Sequence, residues 1–92
     1  MVDELILIVD DNEMNVKLAR DVLRFAGFRT LEAVTGEAGV ALAAGHMPDV
    51  TLMDGRLPDL HGVEVTRRIL EAHPEARVIM VSVEETAEDI HR

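Results

Sequence analysis

Residues 50–58 read VTLMDGRLP, an apolar run that stops at the carboxylate of Asp54 and passes into a turn of Gly55, Arg56 and Pro58. Asp49 to Met53 is expected to form a strand. The acid therefore sits where the strand leaves the core. Toward the amino terminus, Leu5 to Val9 (LILIV) is a second uninterrupted run, and it too ends in acids, Asp10 and Asp11. Toward the carboxyl terminus, Arg77 to Val83 (RVIMVSV) is a third, with the hydroxyl of Ser82 near its end.

The intervening segments have helical spacing. Asn12 can cap a helix in which Leu18, Val22 and Phe25, beside Ala19, Leu23 and Ala26, form packing rows at spacings of three and four. Gly27 supplies a left-handed end to it. Arg29 to Ala33 alternates weakly, as a strand nearer an edge does. Thr35 and Gly36 then open an Ala-rich helix through Ala44, closed by Gly45 to Pro48. Gly62 to Ala72 forms a third helix with Val63, Ile69 and Leu70 available for packing, and Pro74 stops it. Thr86 with Asp89 has capping-box spacing for a short fourth helix. Four strands alternating with helices predict an α/β domain with a parallel sheet and right-handed crossovers.

The composition sets limits. The chain has 92 residues, is 48% hydrophobic and contains no Cys, which predicts one small domain held by aliphatic burial, without disulfides or a thiolate zinc site. A reducing cytoplasm is the expected location. The opening MVDELILIVDD carries acids where a signal peptide carries bases, and its apolar run is too short to cross a bilayer. A net charge of -9 repels nucleic-acid backbones and favours cationic partners.

In parallel sheets ligands bind beyond the carboxyl ends of the strands, where Asp10, Asp11, Asp54 and Ser82 fall. If the first and third strands are neighbours, three carboxylates converge. Left alone they repel one another, and a hard divalent ion such as Mg²⁺ relieves the repulsion while leaving room for phosphate oxygens. An aspartate beside such an ion is placed to attack phosphorus. Each residue also has a plainer reading. Asp10 and Asp11 serve equally well as a turn and a helix cap, Asp54 before Gly55 is an ordinary turn residue, and Ser82 with Glu85 has capping-box spacing. Their joint placement at strand ends favours the chemical reading.

LILIVDDNEMN, PDVTLMDGRLPDLHG and RVIMVSV, in that order, resemble the receiver domain of two-component response regulators, and the likeness runs over residues 1–92. The resemblance implies a flavodoxin-like fold, with strand order 2-1-3-4-5 when complete and helices on both faces. It implies Asp54 as phosphoacceptor, with a sensor histidine kinase or phosphotransfer protein as partner. It further implies Mg²⁺ held by Asp10, Asp11, Asp54 and the backbone carbonyl of Arg56, and Ser82 as a switch hydroxyl that bonds the new phosphoryl group. On this reading the chain is a signalling module and not an enzyme.

The chain also departs from the family pattern. Receivers carry a lysine at the end of a fifth strand, whereas the single lysine here, Lys17, lies in the first helix, and neither a fifth strand nor a fifth helix is present. A fragment, a natural short form and an incomplete record all fit. Four strands leave an exposed apolar edge at the fourth, which predicts a homodimer or swapped assembly. Loss of the lysine's charge predicts weak or absent phosphorylation. Val83, directly after the hydroxyl, is larger than the residue many receivers have there.

Other residues carry plainer readings. His46, His61, His73 and His91 lack metal-ligand spacing, although His61 falls in the loop after Asp54. Arg67 and Arg68 read as a solvated helix face, and Met14 as a partly exposed residue beside the acidic pair. The glycines form no nucleotide-binding loop. Two alternatives to the phosphoacceptor remain. A haloacid-dehalogenase-type phosphatase needs a second Asp where Arg56 stands, and a phosphorylation-deficient interaction module needs no lysine.

Overall fold

The computed structural model describes residues 3–81. Seven elements follow in sequence: β1 (Leu5–Val9), α1 (Glu13–Phe25), β2 (Arg29–Ala33), α2 (Gly36–His46), β3 (Val50–Asp54), α3 (Gly62–Ala72) and β4 (Val78–Val81). All strand pairs are parallel and the sheet order is β2-β1-β3-β4. This is the flavodoxin-like arrangement, with β1 and β3 side by side at its centre. The helix expected after Thr86 and the end of the fourth strand, with Ser82 and Val83, lie outside the described residues.

Strand alternation divides the core between two faces. Leu7, Val9, Ala33 and Met53 point to one side and pack with Ala43 of α2 and with Val65 and Ile69 of α3. Helix α2 lies close to the sheet because its inner face is small: a Cβ on Gly39 would meet the Val9 side chain at 3.0 Å. On the other side, Ile8 and Leu52 line a groove with Leu18 and Ala19 of α1 and Val81 of β4. Helix α1 covers that face, tied across by the Arg20 guanidinium donating to Glu32 at 3.1 Å.

The helix ends follow local chemistry. The Asn12 side chain accepts from the Met14 and Asn15 amides at 2.9 and 3.1 Å, so α1 starts where capping chemistry places it. Gly27, at φ 100°, ends it; the Gly27 amide donates to the Arg24 carbonyl and the Phe28 amide to the Leu23 carbonyl, the paired bonds of a Schellman motif. Helix α2 runs two residues beyond the expected Ala44. Gly45 stays helical, and it is Met47, at φ 48°, that turns left-handed while its amide donates to the Ala43 carbonyl.

Two packing expectations are corrected. Leu18, Val22 and Phe25 do not bury; Phe25 is 95% exposed, and α1 instead rests on Val16, with Ala19 and Leu23 half-buried. Two adjacent rows of α1 are apolar, and one helix can turn only one of them to the sheet. In α3, Val65 and Ile69 are buried while Val63 and Leu70 are exposed, because the four-residue step from Val65 to Ile69 runs along the sheet-facing side.

An ion network covers the outer side of α3. Arg67 and Arg68 both donate to Glu64, Arg67 also to Glu71, and Arg68 reaches Glu37 of α2 at 3.7 Å. Hydrogen bonds from Arg67, then Arg68, lower the Glu64 pKa from its ordinary 4.5 to about 2. A depressed carboxylate contributes stability that is complete above its unfolded value and is lost as pH falls through the folded one. Thermal melts should therefore show a loss between pH 4.5 and 2 that is smaller in Glu64→Gln.

Candidate functional site

The register assembles the site. Val9 pairs with Met53, so the next positions, Asp10 and Asp54, leave adjacent strands at the same level. Asp11 follows in the turn before α1. Carboxylate oxygens of Asp10, Asp11 and Asp54 all lie within 4.8 Å of one another. Asp10 and Asp54 are half-buried and Asp11 is exposed, so the cluster opens to solvent at the carboxyl end of the sheet.

Backbone amides and one side chain orient these acids. Asp10 Oδ1 accepts from the Asn12 amide at 2.9 Å and Oδ2 from Asn15 Nδ2 at 3.4 Å, while the Asp10 amide donates to the Ala33 carbonyl at 3.0 Å. The first turn of α1 thereby aims Asp10 toward Asp54. Asp54 Oδ1 in turn accepts from the Arg56 amide at 3.4 Å. The loop beyond it doubles back: the Gly62 amide donates to the Gly55 carbonyl at 3.1 Å, and Arg56 bridges His61. A side chain at position 62 would run into the Asp54 carbonyl oxygen and sit 3.0 Å from Gly55 Cα, so the downstream glycine is a requirement of this close approach.

Three all-oxygen donors fit a hard divalent cation, and among the described residues no histidine joins them. His61 contributes its backbone: it precedes α3 as the N-cap residue and makes no side-chain capping bond. A cleft at the opposite end of the sheet, whose lining includes Ile6, Phe28, Pro48, His73 and Arg77, contains none of the acidic cluster. Parallel sheets bind ligands at their carboxyl ends, which favours the acids over that cleft.

The family model for the response regulator receiver domain matches residues 6–92. The chain belongs to this family. The receiver domain is 44% identical over 62 residues to the polar-differentiation response regulator DivK of Brucella ovis, a match covering 67% of this chain and 50% of the relative. It is also similar to a CheY-like receiver domain protein from Methanospirillum hungatei JF-1, with TM-score 0.85 and 30% identity over 88% of this chain and 65% of that one. CheY in the CheX-CheY-BeF3-Mg+2 complex from Borrelia burgdorferi gives TM-score 0.82 and 32% identity, covering 86% of this chain and 61% of the other. This receiver domain thus spans about half the length of the curated relatives it matches. Membership places it in two-component signalling, and no helix among the described residues is long and apolar enough to cross a membrane.

One residue escapes a strand-end reading of the sequence: Asp59, whose carboxylate accepts from the Gly36 and Glu37 amides of α2. Its partners are backbone amides 23 and 22 residues away, so nothing near it in the sequence marks the bond.

Proposed function

We propose that Asp54 is the phosphoacceptor of this receiver domain and that Asp10, Asp11, Asp54 and the backbone carbonyl of Arg56 hold Mg²⁺ beside it. The observation that carries this reading is the meeting of three carboxylates from two adjacent strand ends within 4.8 Å. A similar CheY was solved with BeF3 and Mg+2, which supports the same donor chemistry here. Bound Mg²⁺ supplies positive charge that offsets the clustered carboxylates and the incoming phosphoryl oxygens.

The chain's own residues do the rest. An Asp54 carboxylate oxygen attacks the phosphorus of a phosphohistidine on a sensor kinase or phosphotransfer protein. The P–N bond breaks, its electron pair leaves with the imidazole nitrogen, and an aspartyl phosphate forms. Asp10, fixed by the Asn12 amide and by Asn15, keeps its place as charge is redistributed. Ser82 is the proposed switch hydroxyl that bonds the new group. The domain is thus the recipient of a phosphoryl group in cytoplasmic signalling, and not an enzyme with a substrate of its own.

Intact mass after incubation with a small-molecule phosphodonor tests the reading. One phosphoryl adduct is expected with Mg²⁺ and none with a chelator. Formation of the adduct without divalent metal overturns the metal assignment, and turnover of a generic phosphate ester favours a phosphatase.

Association through β4 is the second part of the proposal. Among the described residues β4 is a sheet edge, and Ile79 and Val81 on it are exposed, as are Leu18, Val22 and Phe25 on α1. Exposed apolar groups beside unpaired strand edges favour self-pairing. Light scattering should show mass rising with concentration; a monodisperse monomer at high concentration overturns this part.

A further inference from the structure

The loop from Asp54 to Gly62 is anchored in two ways. Its own ends are closed by the Gly62 amide on the Gly55 carbonyl and by the Arg56–His61 bridge. Its middle is held from outside, where Asp59 Oδ1 accepts from the Gly36 amide at 2.7 Å and Oδ2 from the Glu37 amide at 2.9 Å. These are first-turn amides of α2, which have no partner within the helix. The helix already has a cap of its own in Thr35, whose Oγ1 accepts from the Ala38 amide at 3.1 Å. Asp59 takes the amides that Thr35 leaves.

The junction is tight. A Cβ at Gly36 would lie 2.8 Å from Val65 Cγ2, 3.1 Å from Leu60 Cβ and 3.2 Å from Asp59 Oδ1. The start of α2, the loop and α3 therefore meet at one point with no slack. The bonds from the Glu37 and Gly36 amides hold the Asp59 carboxyl below the usual aspartate range, so at neutral pH it is an anion facing the positive end of a helix.

We infer that Asp59 is a positioning residue for the metal site: by gripping the start of α2 it fixes the loop that carries Asp54 and the Arg56 carbonyl. The inference rests on the receiver-site reading above. Asp59 touches neither the cation nor the phosphoryl group. It sets where the loop lies, and so how well two of the proposed ligands reach the ion.

Comparison of two capping variants separates this role from simple helix capping. Asp59→Ala and Thr35→Ala both remove acceptors from the first turn of α2 and both lower Tm. Mg²⁺ affinity is then measured by calorimetry at a temperature where circular dichroism shows each variant folded. Asp59→Ala should weaken Mg²⁺ binding about tenfold, the low end of what loss of ligand-orienting groups costs, while Thr35→Ala stays within about twofold of the parent. Asp59→Asn keeps one acceptor oxygen and should fall between; it carries the test if the alanine variant does not fold. Parent-like affinity in Asp59→Ala, or equal weakening in Thr35→Ala, overturns the inference. Absence of Mg²⁺ binding in the parent chain instead overturns the receiver-site reading beneath it, and is seen before any variant is made.

Discussion

Asp54→Asn abolishes the Mg²⁺-dependent phosphoryl adduct. The substitution keeps the shape of the side chain and leaves the Val9–Met53 pairing and the Asp10 contacts in place, so the fold is retained. It removes the anionic oxygen that attacks phosphorus, and an amide oxygen is a far poorer nucleophile. It also takes one negative charge from a cluster of three, so mutual repulsion among the carboxylates falls and Tm without Mg²⁺ should rise. Adduct lost, fold kept and metal-free Tm raised is the expected combination. An adduct of unchanged yield places the phosphoacceptor elsewhere.

The largest effect on stability is expected from Leu7→Ala. Leu7 is fully buried at the middle of β1, paired with Leu31 on one side and Thr51 on the other, and it belongs to the cluster that joins the sheet to α2 and α3. Removing its branched end forfeits burial and leaves a cavity that strands on both sides keep from collapsing, at a cost of about 3 kcal/mol. A domain of this size has roughly 5–14 kcal/mol in total. Tm should therefore fall by roughly 12–24 °C, as read by circular dichroism. A fall of only a few degrees would mean that β1 is not the centre of the core.

Most of the fold was legible because its signals are local. LILIV is an uninterrupted apolar run, VTLM is a short, mostly apolar run that stops at the Asp54 carboxylate, and Asn12 and Gly27 mark the two ends of α1 by capping chemistry that acts within a few residues. Less legible was anything that depends on which way a helix is turned. The two apolar rows of α1 have equal claims from spacing alone, and the choice of Val16, Ala19 and Leu23 is made by the position of the sheet. The end of α2 was misplaced because Gly45 looks like a stop while Met47 makes the left-handed turn. At the site, Asp10, Asp11 and Asp54 were each readable as strand-end acids, and their convergence needed only the adjacency of β1 and β3. Asp59 was not readable, since an acid in a loop gives no sign that its partners are amides at the start of α2.

The contact between Gly39 and Val9 gives α2 a role in setting distance. With no side chain between them, the spacing of helix and strand is fixed by backbone against the Val9 methyls. A larger residue at position 39 would act as a shim, lifting the middle of α2 off the sheet. Because the same helix is held at its start by Asp59, the displacement would be carried into the loop of Asp54. The chemistry at the end of β3 thus depends on the thinness of a layer it never touches.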